Sequence, residues 1–285
     1  MSEPQLTIVV AAPNASPALG ECLDALASQV RGREFEVLVP AATAGGVQLV
    51  RERFPQFTAI EAPASSLLPG LWGAGVARAQ GRILALTSGA CTPDTGWVET
   101  VLQAHVEYHS AIGGTIDIAP HSDLGAWALY FIRFSVFMPP LEAGPADVCA
   151  DNGSYKRAAI ADQLAWIGAH GFWDHEVNER LHAQLRSRWR DPRMVVTCNQ
   201  AAGSSPERFW SGHALGRLRA AQFDRRRRTL QLVKTPVLPG VYLARIARTV
   251  FRARRHRLAF ALSAPIIAWY LVCWSAGQSL GLVGR

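Results

Sequence analysis

Short apolar runs rich in β-branched residues alternate with segments of helical spacing over the first hundred positions, and this alternation restricts the chain to a layered α/β fold. Residues 6–12 (LTIVVAA) are continuously apolar, as a parallel strand covered on both faces requires. Pro13, Asn14 and Ser16 break the run, and residues 17–29 then carry Leu19, Cys22, Leu23, Leu26 and Ala27 at helical spacing. A second strand is predicted over 35–39, a second helix over 45–54, and a weaker third strand over 57–60. A helix over 72–80 stops at Gly81, and residues 82–87 form a strand that runs into SGACTPDTGW. This order predicts a doubly wound, mostly parallel sheet. Ligands of such sheets bind beyond the carboxyl ends of the strands, here residues 12–14, 40–43 and 87–92.

Beyond Trp97 the pattern predicts a helix to about His109 and a strand over 112–118. Residues 126–137 carry Trp127, Tyr130, Phe131, Phe134 and Phe137, a spacing that suits core packing; the alternative is a surface resting on lipid or on an apolar acceptor. With 285 residues, 49% of them hydrophobic, the chain can build one large α/β domain and an appendage.

The formal charge of +7 is concentrated between Arg217 and Arg257, where Asp224 is the single opposing carboxylate. Such a segment suits phosphate, nucleic acid or an anionic membrane surface. No nucleic-acid motif accompanies it, so nucleic acid is not an expected partner. Residues 258–284 contain no charged side chain, and a span needs roughly 20 apolar residues. Pro265, Gln278 and several Gly and Ser residues leave an oblique or re-entrant insertion open. Residues 238–252 place Val241, Tyr242, Ile246 and Val250 on one helical face and Arg245, Arg248 and Arg252 elsewhere, as in a helix lying among headgroups. The basic run before the apolar segment keeps the amino-terminal domain on the cytoplasmic side of the inner membrane. Five scattered cysteines without CxxC spacing argue against a disulfide or zinc site and for a reducing compartment. No secretory signal opens the sequence.

Asp174 and Glu176 follow the aromatic pair of GFWDHE at a helix start, where free backbone N–H groups stabilise a carboxylate. Asp174 can serve as the single base that takes a proton from an acceptor hydroxyl, or it can merely cap the helix. His175, His182 and His213 are weaker candidates. Arg217 can neutralise a diphosphate or belong to the membrane-facing basic stretch.

The order of motifs resembles the inverting family 2 glycosyltransferases of the membrane-attached bacterial type, with their Rossmann-like type A nucleotide-sugar transferase fold. LTIVVAAPNASPALGECLDALASQ is similar to the opening strand, turn and helix of that family, and ARAQGRILALTSGACTPDTGWVE to its donor-site strand and Pro and Gly-Trp signature. DNGSYKRAAI resembles its acceptor-side element, GFWDHEVNERL the motif that opens its catalytic helix, and RDPRMVV the following strand. The resemblance implies transfer from a nucleotide sugar to a lipid-linked or glycan acceptor in a cell-envelope polysaccharide pathway, with Asp174 as base beside Glu176. It implies donor contacts from Asn14, Ser88, Cys91 and Arg217, and acceptor contacts from Asp151, Asn152 and Arg157. It also implies Mg²⁺ or Mn²⁺ on the diphosphate, yet SGAC supplies no carboxylate for a metal, and Ala41 and Ala42 stand where an acidic residue would hold the nucleobase. No metal ligand is therefore assigned. Two activities follow: a membrane-attached transferase, or a non-catalytic relative acting as a binding or assembly subunit. A third reading is a basic peripheral protein binding another phosphorylated metabolite. The expected layout is an α/β domain over 1–235, a basic interfacial segment over 236–257 and a membrane-inserted helix over 258–285.

Overall fold

The apolar runs become covered strands. In the computed structural model, which describes residues 4–283, the chain runs through β1 (Leu6–Ala11), α1 (Pro17–Val30), β2 (Glu36–Ala41), α2 (Ala44–Arg53), β3 (Thr58–Glu61), α3 (Leu68–Val76) and β4 (Ile83–Ser88). These four strands are parallel in the order β3-β2-β1-β4, and Ile8, Val9 and Val10 at their centre are fully buried. Strand order therefore reverses at β1 and β4, the place where doubly wound sheets open a crevice. Helix α3 starts four residues before the predicted 72, because Pro69 in its first turn fixes a helical φ without costing a hydrogen bond. It lies close on the sheet: a Cβ at Gly75 would come within 2.3 Å of Val9 Cγ1.

The chain continues through β5 (Cys91–Pro93), α4 (Trp97–Ala104), β6 (Ala111–Ile118), α5 (Leu124–Phe134), β7 (Gly144–Pro145), β8 (Asn152–Lys156), α6 (Leu164–His170), α7 (Asp174–Ala183) and β9 (Arg188–Cys198). The strands among them extend the sheet to the order β3-β2-β1-β4-β8-β6-β9-β5, with β7 on β9. β8 pairs antiparallel with both β4 and β6, and β9 antiparallel with β5 and β7. The parallel half is thus the half predicted from strand–helix alternation, and the other half is antiparallel. Asn152 stitches the second half together. Its Nδ2 donates to Thr115 O at 2.8 Å and Met194 O at 2.9 Å, while its Oδ1 accepts from Trp97 Nε1 at 2.8 Å.

The chain up to Asp117 forms one compact unit with Pro139–Asn199; Ile118–Met138 and the chain from Gln200 onward form a second. The second unit is helical and begins well before residue 236. It contains α5, α8 (Ser205–Gln222), α9 (Arg225–Lys234), α10 (Leu238–Ala253) and α11 (Arg257–Val283). The aromatic stripe of α5 is core: Tyr130, Phe131 and Phe134 are fully buried, and Phe131 meets Phe260 of α11 edge-on at 5.5 Å. Helix α10 turns Ile246 and Val250 inward and places Tyr242 6.0 Å from Trp274. Much of its apolar face therefore packs on α11 instead of lying free for headgroups, and it exposes Arg245, Arg248 and Arg252 together with Val241 and Phe251. Helix α11 is long and apolar enough to cross a membrane by length and composition; Gly284 and Arg285, the end of the predicted apolar segment, lie outside the described residues.

Asn152→Ala strands one indole N–H and two carbonyl oxygens in the sheet interior, at about 1–3 kcal/mol for each buried group left without a partner. The variant is expected to lose about 2–4 kcal/mol, allowing for partial relaxation, read as a lower urea midpoint at unchanged slope.

Candidate functional site

The crevice at the carboxyl ends of β1 and β4 gathers the polar groups that sequence patterning marked singly. Ala11 is in register with Ser88, and Gly89 N donates to Ala11 O at 2.8 Å. Ser88 is buried, and its hydroxyl donates to Asp151 Oδ1 at 2.8 Å. Thr87 Oγ1 donates to the Asp151 carbonyl at 3.0 Å, and the Cys149 thiol donates to Asp151 Oδ2 at 3.7 Å. Asp151 is 2% exposed, so it holds the β4 loop against the start of β8 and presents little to a ligand.

One residue away, Ala150 N donates to Asp174 Oδ2 at 3.4 Å. Asp174 is the first residue of α7, half-buried, and its Oδ1 accepts from His175 N at 2.8 Å. Two backbone N–H groups thus face this carboxylate at the helix start. Burial, with the Asp174 charge adding to it, pushes the Tyr155 hydroxyl well above the ordinary phenol range. Glu176 is buried, while His175 is exposed and pairs with Glu179 at 3.3 Å. Asp174 and Asp151 therefore flank Ala150 at one edge of the crevice, a pairing that no local spacing announces.

On the other edge Asn14 is exposed in the loop after β1, where its Oδ1 accepts from Ser16 N at 3.3 Å. A cavity of about 390 Å³ opens at the ends of β2 and β3, lined by Ala41, Ala42, Thr43, Val47, Arg51 and Glu61. Glu61, which sequence reading passed over, is in register with Ala41 and bonded to Arg51 at 2.9 Å. A carboxylate thus stands on the strand beside the alanine pair.

Three expectations are corrected. Cys91 is not available to a donor, because it is joined to Cys198 in a disulfide, the two being directly opposed on β5 and β9; a separation of 107 residues hides that pairing from any spacing rule. Asn152 is not an acceptor contact, since its amide is consumed inside the sheet. Arg157 follows the far end of β8, where Lys156 pairs with Ile83 at the amino end of β4; it lines a separate cavity of about 630 Å³ with Arg82, Lys156 and His105. The residue before α4 is Gly96 at φ 83°, a left-handed conformation that suits glycine. Partial burial, with the Asp117 charge, raises the nearby Asp94 carboxyl above its ordinary range. Arg217 belongs to the helical unit and is exposed on α8.

The β4 loop offers no carboxylate to a diphosphate-bound Mg²⁺ or Mn²⁺. Such ions take hard oxygen ligands, commonly carboxylates. The β4 loop offers Ser88, whose hydroxyl is committed to Asp151, then Gly89 and Ala90, then a disulfide sulfur. Among the described residues, His175, Glu176 and Glu179 bring ligand atoms within 4.8 Å of one another, on an α7 face where two of the three are already paired.

No protein-family profile and no curated protein sequence matches the chain. Solved structures do. A mannosyltransferase, PcManGT from Pyrobaculum calidifontis in complex with GDP-Man and Mn²⁺, is similar with a TM-score of 0.58 at 16% identity, over 98% of this chain and 88% of that one. S. aureus TarS 1-349 is similar with a TM-score of 0.50 at 12% identity, over 96% and 90% of the two chains. A longer TarS structure gives 0.53 at 13% identity, and the match covers 55% of it. At such identities the likeness establishes the fold, which is that of type A glycosyltransferases.

Thiol titration of the purified chain in denaturant is expected to count three thiols before reduction, Cys22, Cys149 and Cys273, with Cys91 and Cys198 reacting only after a reductant is added. A pH dependence follows from His105, which burial, with the Lys156 charge beside it, holds down at about 4 against an ordinary 6.5. Its contribution is full above pH 6.5 and is lost as pH falls towards 4, because the unfolded chain takes up a proton that the folded chain refuses. Over that window, urea midpoints of His105→Gln should fall less steeply than those of the parent, by about 3 kcal/mol in total.

Proposed function

We propose that this chain is an inverting glycosyltransferase that uses a nucleotide-sugar donor, with Asp174 as its base. The observation that carries the reading is the position of the Asp174 carboxylate, at the start of α7 and hydrogen-bonded beside Asp151 at the carboxyl end of the parallel strands. In the proposed step an acceptor hydroxyl oxygen attacks the anomeric carbon from the face opposite the diphosphate. Its proton passes to Asp174, the bond from the anomeric carbon to the diphosphate oxygen breaks, and the nucleoside diphosphate leaves with that electron pair. Asp151 acts as a positioning residue through Ser88. Glu61 and Asn14 border the donor side. Attachment of the helical unit to the inner membrane from the cytoplasmic side suits a lipid-linked or nascent glycan acceptor, as part of the same proposal.

A second reading has an observation of its own. The β4 loop and the end of β2 both lack the carboxylates expected on the donor side, which favours a non-catalytic binding or assembly subunit that kept the fold. The two readings separate in one assay: the full chain in detergent is screened against nucleotide sugars with and without Mn²⁺. The transferase reading expects donor binding and turnover that do not require Mn²⁺, and Asp174→Asn is expected to lower turnover about 10²–10⁴-fold with donor affinity retained. Absence of binding to every donor rejects the transferase, and undiminished turnover in Asp174→Asn removes that residue as the base.

A further inference from the structure

Helix α11 is apolar on the side that a water-soluble helix keeps polar. From Leu258 to Val283 every exposed residue is apolar, with Leu258, Leu262, Trp269, Val272, Leu280 and Val283 each at least 46% exposed. Pro265 and Ala276 fill the steps between them, so the stripe follows one helical face for about 38 Å at 1.5 Å per residue. The opposite face, turned into the unit, is mixed: Phe260, Ile267, Leu271 and Leu282 are buried beside Ser263, Ser275 and Gln278. A helix apolar on both its inner and its outer face points to a solvent that is not water on the stripe side.

The neighbours of α11 restrict how it meets that solvent. Helix α8 runs parallel to it at backbone contact. A Cβ on Gly212 or Gly216 would come within 2.0 or 2.4 Å of Trp274 O or Gln278 O, and one on Gly277 or Gly281 within 2.0 or 2.2 Å of Phe209 O or His213 O. Two small-xxx-small pairs thus lock the helices together, and Trp269 Nε1 donates to Ser205 Oγ at 2.9 Å. Along the other half, α10 runs antiparallel, with Tyr242 against Trp274 and Phe251 against Phe260. Glu207 and Arg217 are exposed on α8, and Arg245, Arg248 and Arg252 on α10. A crossing by α11 would draw these charges into hydrocarbon, where they are costly.

We propose that α11 does not cross the bilayer but lies side-on in one anionic leaflet. Its apolar stripe faces the acyl chains, and the arginines of α9, α10 and the turn before α11 meet lipid phosphates. Charge selects this occupant, since Asp224 is the one carboxylate among the cations between Arg217 and Arg257. The inference rests on the membrane attachment proposed above and specifies its geometry.

The test uses the full chain with an epitope after Arg285. In sealed membrane vesicles with the cytoplasmic face outward, added protease is expected to remove the epitope while the vesicles stay intact; an epitope protected until detergent is added overturns the proposal. Purified chain is also sedimented with phosphatidylcholine vesicles with and without phosphatidylglycerol. Binding is expected only when phosphatidylglycerol is present, and to fall at least tenfold in Leu262→Asp/Val272→Asp and in Arg245→Glu/Arg248→Glu. Parent-like binding by the correctly folded variants, or equal binding to both vesicle types, overturns it. The epitope arm uses the unsubstituted chain, so it does not depend on how the variants fold. Donor binding by the same preparations reports separately on the transferase reading, so loss of one leaves the other standing.

Discussion

Everything in the α/β unit depends on the seam between β4 and β8, where a parallel sheet becomes antiparallel. At that seam backbone direction reverses, so β8 starts where β4 ends and Asn152 faces Thr87. The reversal delivers Asp151 to the crevice, where Ser88 and Thr87 tie it down. It also delivers Asn152 to the interior, where three hydrogen bonds bind β8 to β6, β9 and Trp97. Buried polar groups of this kind stabilise only when fully satisfied, and here they sit one residue from the proposed chemistry.

The proposed base takes its position from the same seam. Asp174 is held by Ala150 N, the residue before Asp151, so the carboxylate is oriented by a strand start and stabilised by a helix start. What distinguishes the site is its donor side. The carboxylate nearest the β4 loop is the buried Asp151, already engaged by Ser88 and Cys149, and the one nearest Ala41 is Glu61 on the adjacent strand. Carboxylates absent from the local motifs thus have neighbours close by, Asp151 at the start of β8 and Glu61 on β3.

The helical unit follows a different constraint. Its tightest contact is backbone against backbone, through glycines that leave no room for side chains. Such packing needs no hydrophobic driving force between helices, which suits a helix that keeps a continuous apolar stripe on its exposed face as well.

Local pattern alone determined the first four strands and the start of α7 at Asp174, because each depends on side chains a few residues apart: apolar continuity, helical period, a carboxylate before a helical run; for the α5 aromatics it left core and surface open, and burial decided for core. Cysteine spacing misled, as did the placing of Asn152 and Arg157 in one acceptor pocket. A strand carries residues five apart to opposite edges of a sheet, and no local period records which edge is the crevice. Only the tertiary structure decided that Cys91 meets Cys198, that Ser88 meets Asp151, and that the apolar stripe of α11 faces outward between charged helices. Those are pairings across the sheet and along a helix interface, set by strand order and close backbone packing, and the sequence by itself carries them only as residues waiting for partners.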